Sequence, residues 1–316
     1  MQLNSVGLAG EFRCVVTKTD GTIKEDTGYQ KNLILNQGLN FFGNNQGSNF
    51  NSSCAIGSGN STPAITQTSL DAFIALVAGT DVSYDYSYVD TGDNLYRMWE
   101  QKKYRFTGLN NVNISEVGLV SAGSSSTNYS LTTRALIKDS EGNPTTITVK
   151  SDETLDIYYK IHKVVDVSDK SFVINILDGN GGAVPYNAVI RPIAVGKDGW
   201  RYVSNKVATS GEIHTSSNDL SAITTKPSSS HGGSNKLSAY TSDSLKRTLT
   251  LEFNLSQANR DIRTVTFDDY FLRIFSFFPF QMRLGRVSDD APLTKTNQET
   301  LSIPFEISWG RYEGEL

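Results

Sequence analysis

The chain contains little cysteine and histidine and has no excess of positive charge. Its 316 residues include 2 Cys and 3 His, and 29 Lys and Arg stand against 33 Asp and Glu, which gives a net charge of −4. A chain without a basic excess has no general means of neutralising phosphates, so we expect no nucleic-acid partner. Cys14 and Cys54 lie far apart, with no Cys or His at metal-ligand spacing. We therefore predict two buried thiols and no zinc site.

A long apolar run is also missing. The most apolar stretch, Tyr270–Phe280, contains Arg273 and Pro279, and it is shorter than the about 20 residues that a spanning helix needs. We expect a buried strand or a subunit contact there and no membrane insertion. Residues 1–5 carry no positive charge and no apolar run follows them, so we expect a protein made and kept, at least at first, in a cytoplasm.

Alternation of apolar and polar residues is frequent. Phe12, Cys14 and Val16 occupy every second position, and the same period recurs at 155–161, 249–255 and 303–309. A period of two places one face of a strand on a core and the other in water, so these segments predict half-buried strands. Pro304 cannot donate to a β-ladder, which predicts an edge strand or a strand start for the last segment.

Turn residues separate these runs, and helical spacing is confined to two short segments. Asp20 and Gly21 predict a hairpin between two apolar runs. Apolar residues at helical spacing predict helices within 32–42 and 69–77. The fold class that follows is mostly β: antiparallel β-sandwich-like domains with one or two short helices in the N-terminal half.

The length suits one large or two ordinary domains. We place a boundary within Val165–Asp169, where one apolar run ends and another begins, which gives domains 1–166 and 167–316. The stretch Thr215–Asn235 is rich in Ser, Thr and Gly and is predicted to be a long loop, mobile or functional. We find no repeat of fixed period.

Residues that could support catalysis or cofactor binding lack the motifs that would give them a role. His162 falls on the polar side of a predicted strand, which favours a surface position, and His214 and His231 lie in or beside the Ser- and Thr-rich stretch. Gly57 and Gly59 form half of a phosphate-binding pattern without its Gly-Lys-Ser/Thr ending, so we interpret them as part of a structural turn. We predict no catalytic residue and no cofactor.

Two groups of residues suggest ligands. Trp200 and Tyr202 follow the turn at Asp198 and Gly199 and could stack on sugar rings, although aromatic residues at such places more often cap a core or an interface. An acidic group could offer oxygen ligands to calcium, but its spacing departs from that of an EF-hand loop, and we assign no metal to it. Its members are Asp81, Asp85, Asp90 and Asp93.

The segment Thr27–Leu39 resembles the opening of a family of tailed-bacteriophage structural proteins that includes tail-fibre, tail-appendage and tail-tip components. Later segments are similar to that family in the same order, over residues 27–161 and the last strand, and none is similar between Val167 and Pro292. The later segments are Cys54–Gly59, Thr66–Leu70, Ile114–Leu119, Arg134–Ile137, Asp152–Tyr159, Lys295–Thr296 and Ser308–Tyr312.

The resemblance implies a non-enzymatic component of a virion: a part of the tail, the baseplate or collar, or a fibre attached there. Its partners would be other tail proteins and further copies of itself, and it would be assembled in the host cytoplasm. Domain 1–166 would anchor it, and domain 167–316 would pair with neighbouring chains. The family supplies no catalytic residues.

Aromatic residues and Arg are enriched at interface hot spots, so one cluster forms a candidate subunit interface. The same composition fits an ordinary core position equally well. Its members are Arg273, Phe275, Phe277, Phe278 and Phe280. The alternative function is a receptor-binding module for host surface glycans, with Trp200, Tyr202 and Thr215–Asn235 near the contact. A third reading, a depolymerase of such glycans, has only unpaired carboxylates to support it.

Overall fold

The computed structural model describes residues 1–3, 5–44, 50–80, 87–90, 92–122, 128–193, 212–225, 232–268 and 280–316. These residues form a mostly β protein, with one short helix among them. The elements up to residue 149 are β1 (Val6–Thr17), β2 (Ile23–Asp26), β3 (Gln30–Ile34), α1 (Asn36–Gly43), β4 (Ser53–Gly57), β5 (Phe73–Ala78), β6 (Ser87–Asp90), β7 (Leu95–Phe106), β8 (Val112–Ile114), β9 (Glu116–Ala122), β10 (Tyr129–Leu131), β11 (Thr133–Leu136) and β12 (Ile147–Val149). The remaining strands are β13 (Thr154–Asp166), β14 (Lys170–Leu177), β15 (Ala183–Pro192), β16 (Glu212–Ser216), β17 (Ser234–Leu237), β18 (Lys246–Phe253), β19 (Asp261–Ile262), β20 (Thr264–Asp268), β21 (Phe280–Arg286), β22 (Leu293–Thr294) and β23 (Leu301–Arg311).

The chain divides into two compact units. The N-terminal unit contains Gly7–Ser87, Arg97–Val164 and Gly310–Leu316, and the C-terminal unit contains Met1–Val6, Tyr88–Tyr96 and Val165–Trp309. One division therefore falls between Val164 and Val165, at the edge of the predicted boundary segment. The short segments that each unit takes from elsewhere in the chain have no counterpart in the division 1–166 and 167–316, which stays a prediction.

The N-terminal unit is organised around neighbouring strands in the order β1, β3, β11, β9, β4 and β5. β4 pairs with both β9 and β5, and all five of its residues are buried. α1 begins immediately after β3, and its Leu39 is buried together with the preceding Leu35. One cluster of the core of this unit comprises Leu35, Ala55, Leu70, Val120 and Leu131.

The C-terminal unit contains a five-stranded sheet, β14-β15-β21-β20-β16, and a second group of strands, β17-β18-β23. Apolar side chains from both groups belong to one buried cluster. The rings of Phe280 in β21 and Phe305 in β23 lie 4.8 Å apart between centroids. Two sheets therefore pack face to face in this unit, which confirms the predicted mostly β fold class.

The alternating segments are strands, as predicted. Phe12, Cys14 and Val16 are fully buried in β1, and Asp20 and Gly21 connect β1 to its antiparallel partner β2. In β18 and β23 the alternating apolar residues likewise face the core.

Pro304, however, lies inside β23, and residues 1–3 bond to β23 on the side away from β18, so both predicted positions, an edge strand and a strand start, are wrong. It lies opposite Thr250 of β18 in the register of the pair. The neighbouring Glu306 donates its backbone N–H to the Met1 carbonyl, so the backbone of Pro304, two residues away, points to the same side and away from β18. The missing N–H therefore removes no hydrogen bond from the ladder with β18.

The predicted second helix, within 69–77, is wrong. Phe73–Ala78 forms β5 and pairs antiparallel with β4, with Val77 opposite Cys54. The five residues from Phe73 to Val77 are all half-buried, so no helical stripe separates a buried from an exposed face. Aromatic and β-branched residues favour a strand here once a partner strand is present. The first helix begins at Asn36 rather than at Asn32, because residues 32–34 pair with β1 and β11.

The predicted loop Thr215–Asn235 is shorter than expected at both ends. Thr215 and Ser216 complete β16, and Ser234 and Asn235 begin β17. Within it, residues 226–231 lie outside the described residues.

A glycine in β9 provides a test of the packing in the N-terminal unit. A Cβ atom on Gly118 would lie 2.3 Å from the Thr133 carbonyl oxygen, whereas a Cβ atom on Gly310 would meet no atom within 4 Å. We expect Gly118→Ala to lower the free energy of unfolding by about 2–3 kcal/mol, because backbone of the neighbouring strand must move. Gly310→Ala is the matched control and should be neutral or stabilise by about 0.4–1 kcal/mol. Urea unfolding measures both, and equal effects would contradict the packing described.

Candidate functional site

Five polar side chains from separated parts of the sequence meet at one end of the sheet of the N-terminal unit. We call them the Arg134 cluster: Ser61, Gln67, Asp71, Glu116 and Arg134. Arg134 and Glu116 are fully buried, and the Asp71 side chain is about one-third exposed. The cluster therefore extends from the interior of the unit to its surface.

The strand register places the two buried charges side by side. Glu116 is the first residue of β9 and lies opposite Gly57 of β4 and Leu136 of β11. Arg134 lies two residues before Leu136 on β11. The other three members belong to the connection between β4 and β5, residues 58–72, which passes over this end of the sheet.

The guanidinium of Arg134 donates hydrogen bonds to all four other members. Its Nε donates to Glu116 Oε2 at 2.8 Å, and its Nη2 donates to Asp71 Oδ2 at 2.8 Å. Its Nη1 donates to Gln67 Oε1 at 2.9 Å and to Ser61 Oγ at 3.2 Å. A buried guanidinium is tolerated only when its charge and its donors are satisfied in this way.

The carboxylate of Glu116 completes the cluster by accepting backbone N–H groups. Its Oε1 accepts from Gly59 at 3.0 Å and from Ala72 at 2.9 Å, and its Oε2 accepts from Asp71 at 3.2 Å. One buried carboxylate thus joins both ends of the 58–72 connection to β9. Because charged acceptors form the stronger hydrogen bonds, this carboxylate fixes the path of the connection.

Gly57 and Gly59 are needed for close approach to Glu116. A Cβ atom at either position would lie 2.5 Å from Glu116 Oε1. The Gly-Ser-Gly segment, which the sequence analysis interprets as part of a structural turn, is therefore closely packed. It is the end of β4 and the start of a connection pressed against a buried carboxylate, and the absence of side chains there leaves room for that carboxylate.

The electrostatics of the cluster favour the charged forms at its surface end. The hydrogen bond with Ser61 lowers the pKa of Asp71 below its ordinary value; burial opposes this shift and the nearby Arg134 charge supports it. The contacts of Arg134 and Glu116 are made to the protein itself. The cluster is thus built to hold a connection rigidly, and its buried charges are already engaged.

Sequence reasoning did not single out the Arg134 cluster. The signal that could have found it is an ionisable residue next to an apolar run: Glu116 precedes Val117, and Arg134 precedes Ala135. Because charges in fully buried strands must be paired, two such strands in one unit indicate that the charges meet. Neither spacing nor periodicity says which partner each one has.

A second polar group lies on the outer face of strands in the same unit. Lys160 Nζ lies 3.7 Å from the ring centroid of Tyr29 and 4.7 Å from that of Trp99. Lys103 Nζ lies 5.4 Å from the ring of Tyr158 and also pairs with Asp156 at 2.7 Å. These distances are typical of cation–π contacts. We call Tyr29, Trp99, Lys103, Tyr158 and Lys160 the aromatic–lysine face.

His162 is buried, which corrects the predicted surface position. Its Nε2 lies 3.1 Å from Glu11 Oε2, and its side chain is 7% exposed. The hydrogen bond with His162 lowers the pKa of Glu11 below its ordinary value, although burial opposes the shift. The prediction failed because residues on both faces of β13 are buried, so the polar positions of the alternation do not all point to water. His214 lies in β16, and His231 lies outside the described residues.

The predicted subunit-contact residues are described only in part. Phe280 is 3% exposed and stacks on Phe267 in the core of the C-terminal unit, which is the core position that the composition left open. The other four members, Arg273, Phe275, Phe277 and Phe278, lie outside the described residues.

Most of the predicted ligand-binding residues also lie outside the described residues. Trp200 and Tyr202 are among the residues that the structure leaves undescribed, as are Asp81 and Asp85 of the acidic group. Asp93 Oδ1 accepts the backbone N–H of Leu95 at 3.0 Å. In the described part of the chain, no three His, Cys, Asp or Glu side chains are grouped as metal ligands would be.

The two cysteines are buried thiols, as predicted. Both are free and fully buried. Burial raises the pKa of both thiols above the ordinary value, so the reactive thiolate form is disfavoured at neutral pH.

A small cavity of about 190 Å³ lies beside the C-terminal residues of the N-terminal unit. Its wall includes Leu8, Lys31, Asn32 and Arg311. The guanidinium of Arg311 in this wall already donates a hydrogen bond from Nη2 to Asn36 Oδ1 at 2.6 Å.

Removal of the buried charge at Glu116 tests whether the Arg134 cluster organises its unit. We expect Glu116→Gln to lower the free energy of unfolding by about 3–5 kcal/mol, because Arg134 then loses its buried anionic partner. The matched control is Arg13→Gln, which breaks the exposed pair with Asp26 and should cost about 0–1 kcal/mol. Urea unfolding followed by circular dichroism measures both. Losses of equal size would contradict an organising role.

Comparison of the chain with protein-family models, with curated proteins and with solved structures finds no match. Among the described residues, no helix has the length and apolar character needed to cross a membrane.

Proposed function

We propose that this chain is a non-enzymatic structural component of a tailed-bacteriophage virion, in the tail, the baseplate or collar, or a tail-fibre assembly. It would act through contacts with other tail proteins and with copies of itself. The observation that carries the proposal is the Arg134 cluster, because residues from separate family-like segments of the sequence meet in it.

Four of the segments that resemble the phage family contribute to this one place. Cys54–Gly59 contributes Gly57 and Gly59, Thr66–Leu70 contributes Gln67, Ile114–Leu119 contributes Glu116, and Arg134–Ile137 contributes Arg134. Chance similarities spread over eighty residues have no physical reason to converge. Their convergence supports the view that the segments belong to one structural unit, of the kind that the resemblance implies.

The hydrogen bonds of the Arg134 cluster suit a rigid structural subunit. Its buried charges bind protein groups, and they attach the 58–72 connection to the sheet at both ends. Buried polar networks that are fully satisfied make a structure rigid. A rigid surface supported from within is what a subunit needs when it acts by contact with other chains.

The proposal is tested in phage particles. We expect deletion of the coding segment from its phage genome to yield particles that are defective in tail assembly and low in infectivity, and wild-type protein supplied in trans to restore both. Glu116→Gln should restore them poorly, because its unit is destabilised, whereas Arg13→Gln should restore them fully. Mass spectrometry of purified particles measures incorporation. Intact, infectious particles that lack the chain would refute the proposal.

A second candidate function, recognition of host surface glycans, is favoured by the aromatic–lysine face. That face combines partly exposed aromatic rings with the ammonium group of Lys160, whereas the ammonium group of Lys103 already pairs with Asp156. Rings contact the apolar side of sugars, and ammonium groups pair with carboxylates. The chemistry therefore fits an acidic glycan. Trp200 and Tyr202, the residues that the sequence suggested for this role, lie outside the described residues.

Binding to an array of acidic glycans tests this second function. We expect Trp99→Ala to remove binding, because it deletes a ring that contacts Lys160. Tyr29→Phe is the matched control: it keeps the ring and removes only the hydroxyl that contacts Gln101, so binding should persist. Binding unchanged by Trp99→Ala, or no binding by the wild-type chain, would count against the aromatic–lysine face as a receptor site.

A further inference from the structure

β14 lies at one edge of the five-stranded sheet of the C-terminal unit. All eight of its residues pair with β15 in continuous register, from Lys170 opposite Ile190 to Leu177 opposite Ala183. Among the described strands, β15 is its sole partner. Within the described part of the chain, β14 is therefore an edge strand along its full length, with no strand paired to the other side of its backbone.

The hydrogen bonds of the hairpin show which backbone groups face outward. The N–H of Asp178 donates to the Gly182 carbonyl at 2.8 Å, so the even-numbered residues of β14 bond to β15. Because backbone direction alternates along a strand, the N–H and C=O groups of the odd-numbered residues point to the open edge. These residues are Ser171, Val173, Asn175 and Leu177.

This edge lacks the devices that normally prevent pairing between chains. Edge strands usually carry charge, proline or a bulge, and residues 171–177 contain no charged residue and no proline. Val173 is 67% exposed and Leu177 is 70% exposed. By contrast β2, which has β1 as its described partner, contains Lys24, Glu25 and Asp26 in its four residues. Of these two described edge strands, β2 is therefore protected by charge and β14 is not.

We propose that β14 pairs antiparallel with β14 of a second copy of this chain, about a two-fold axis at Ile174. A two-fold axis perpendicular to the sheet keeps the core-facing side of both copies on the same side of the joined sheet. The even-numbered residues of one copy, which face the core, must therefore lie opposite even-numbered residues of the other. In the register centred on Ile174, Phe172 lies opposite Ile176 of the second copy. These two side chains already pack against the core of their own unit, and pairing joins the two cores.

The same register explains the charges at the ends of the strand. Lys170 of each copy lies opposite Asp178 of the other, because the two positions are equidistant from Ile174. Asp178 Oδ1 accepts the N–H groups of Asn180 and Gly182 in its own turn, which holds the carboxylate in place at the end of the strand. Two symmetric ion pairs through these carboxylates would close the ends of an uncharged strand, which favours a second copy over an unrelated peptide. The interface is isologous and gives a closed dimer. This inference rests on the proposed function, because it assigns the surface through which copies would associate.

Sedimentation analysis of the purified chain over a range of concentrations tests for the dimer. Val173→Pro removes an N–H that points to the open edge and leaves the ladder with β15 intact, so we expect dimerisation about tenfold weaker or worse. Val173→Thr is the matched control, since it keeps the N–H and the β-branched shape, and it should dimerise. Circular dichroism checks that both variants fold. A monomeric wild-type chain, or a folded Val173→Pro variant that dimerises normally, would overturn the proposal.

Disulfide trapping tests the register. Directly opposed residues that do not exchange hydrogen bonds have Cα atoms about 4.5 Å apart, within the range that a disulfide bridges. We expect Ile174→Cys to form a covalent dimer on oxidation and Ile176→Cys, its matched control, to remain uncrosslinked because it lies opposite Phe172. Equal crosslinking would refute this register. These outcomes concern the dimer alone, and incorporation into particles is measured separately, so a failure of the dimer can be distinguished from a failure of the proposed function.

Discussion

The N-terminal unit depends on one buried ion pair, Arg134 with Glu116. Both side chains are fully removed from water, and a charge in that position is strongly destabilising without its partner. The pair is compatible with folding because Glu116 also accepts three backbone N–H groups from the 58–72 connection. The connection and the end of the sheet therefore stabilise each other: the sheet supplies the carboxylate, and the connection supplies the N–H donors that compensate for its burial. The two parts are held rigidly, since movement of either one would leave the buried carboxylate without its hydrogen-bond donors.

The sequence predicts the fold class well, because alternation is a local signal. Phe12, Cys14 and Val16 identify β1 without reference to any other strand. The helix predicted within 69–77 failed for the opposite reason. Phe73 and Val77 fit a helical stripe locally, and only the presence of β4 alongside makes the strand more favourable. The surface position predicted for His162 is wrong because residues of both faces of β13 are buried from Ile161 to Val165, and this burial depends on the tertiary structure rather than on the local alternation.

The Arg134 cluster could be predicted only in part. The apolar residues that follow Glu116 and Arg134 indicate burial, and burial demands a partner. The identity of the partners depends on register, since Glu116 meets Leu136 across one strand pair and Gly57 across the other. Register follows from strand order, which the local pattern does not supply. Four of the segments that resemble phage proteins each contribute a contact to the cluster or the space for one.

The two exposed edges show how composition separates a protected surface from a contact surface. β2 places Lys24, Glu25 and Asp26 along a four-residue strand, and these charges disfavour pairing of a further strand with its backbone. β14 is twice as long, and its seven residues after Lys170 are uncharged. An unprotected strand of this length would make a chain prone to aggregation unless its partner were defined. Charges confined to the ends, at Lys170 and Asp178, define both direction and register, because they are complementary only when the second strand runs antiparallel and is centred on Ile174. The arrangement therefore converts an aggregation hazard into a specific contact that closes after two copies.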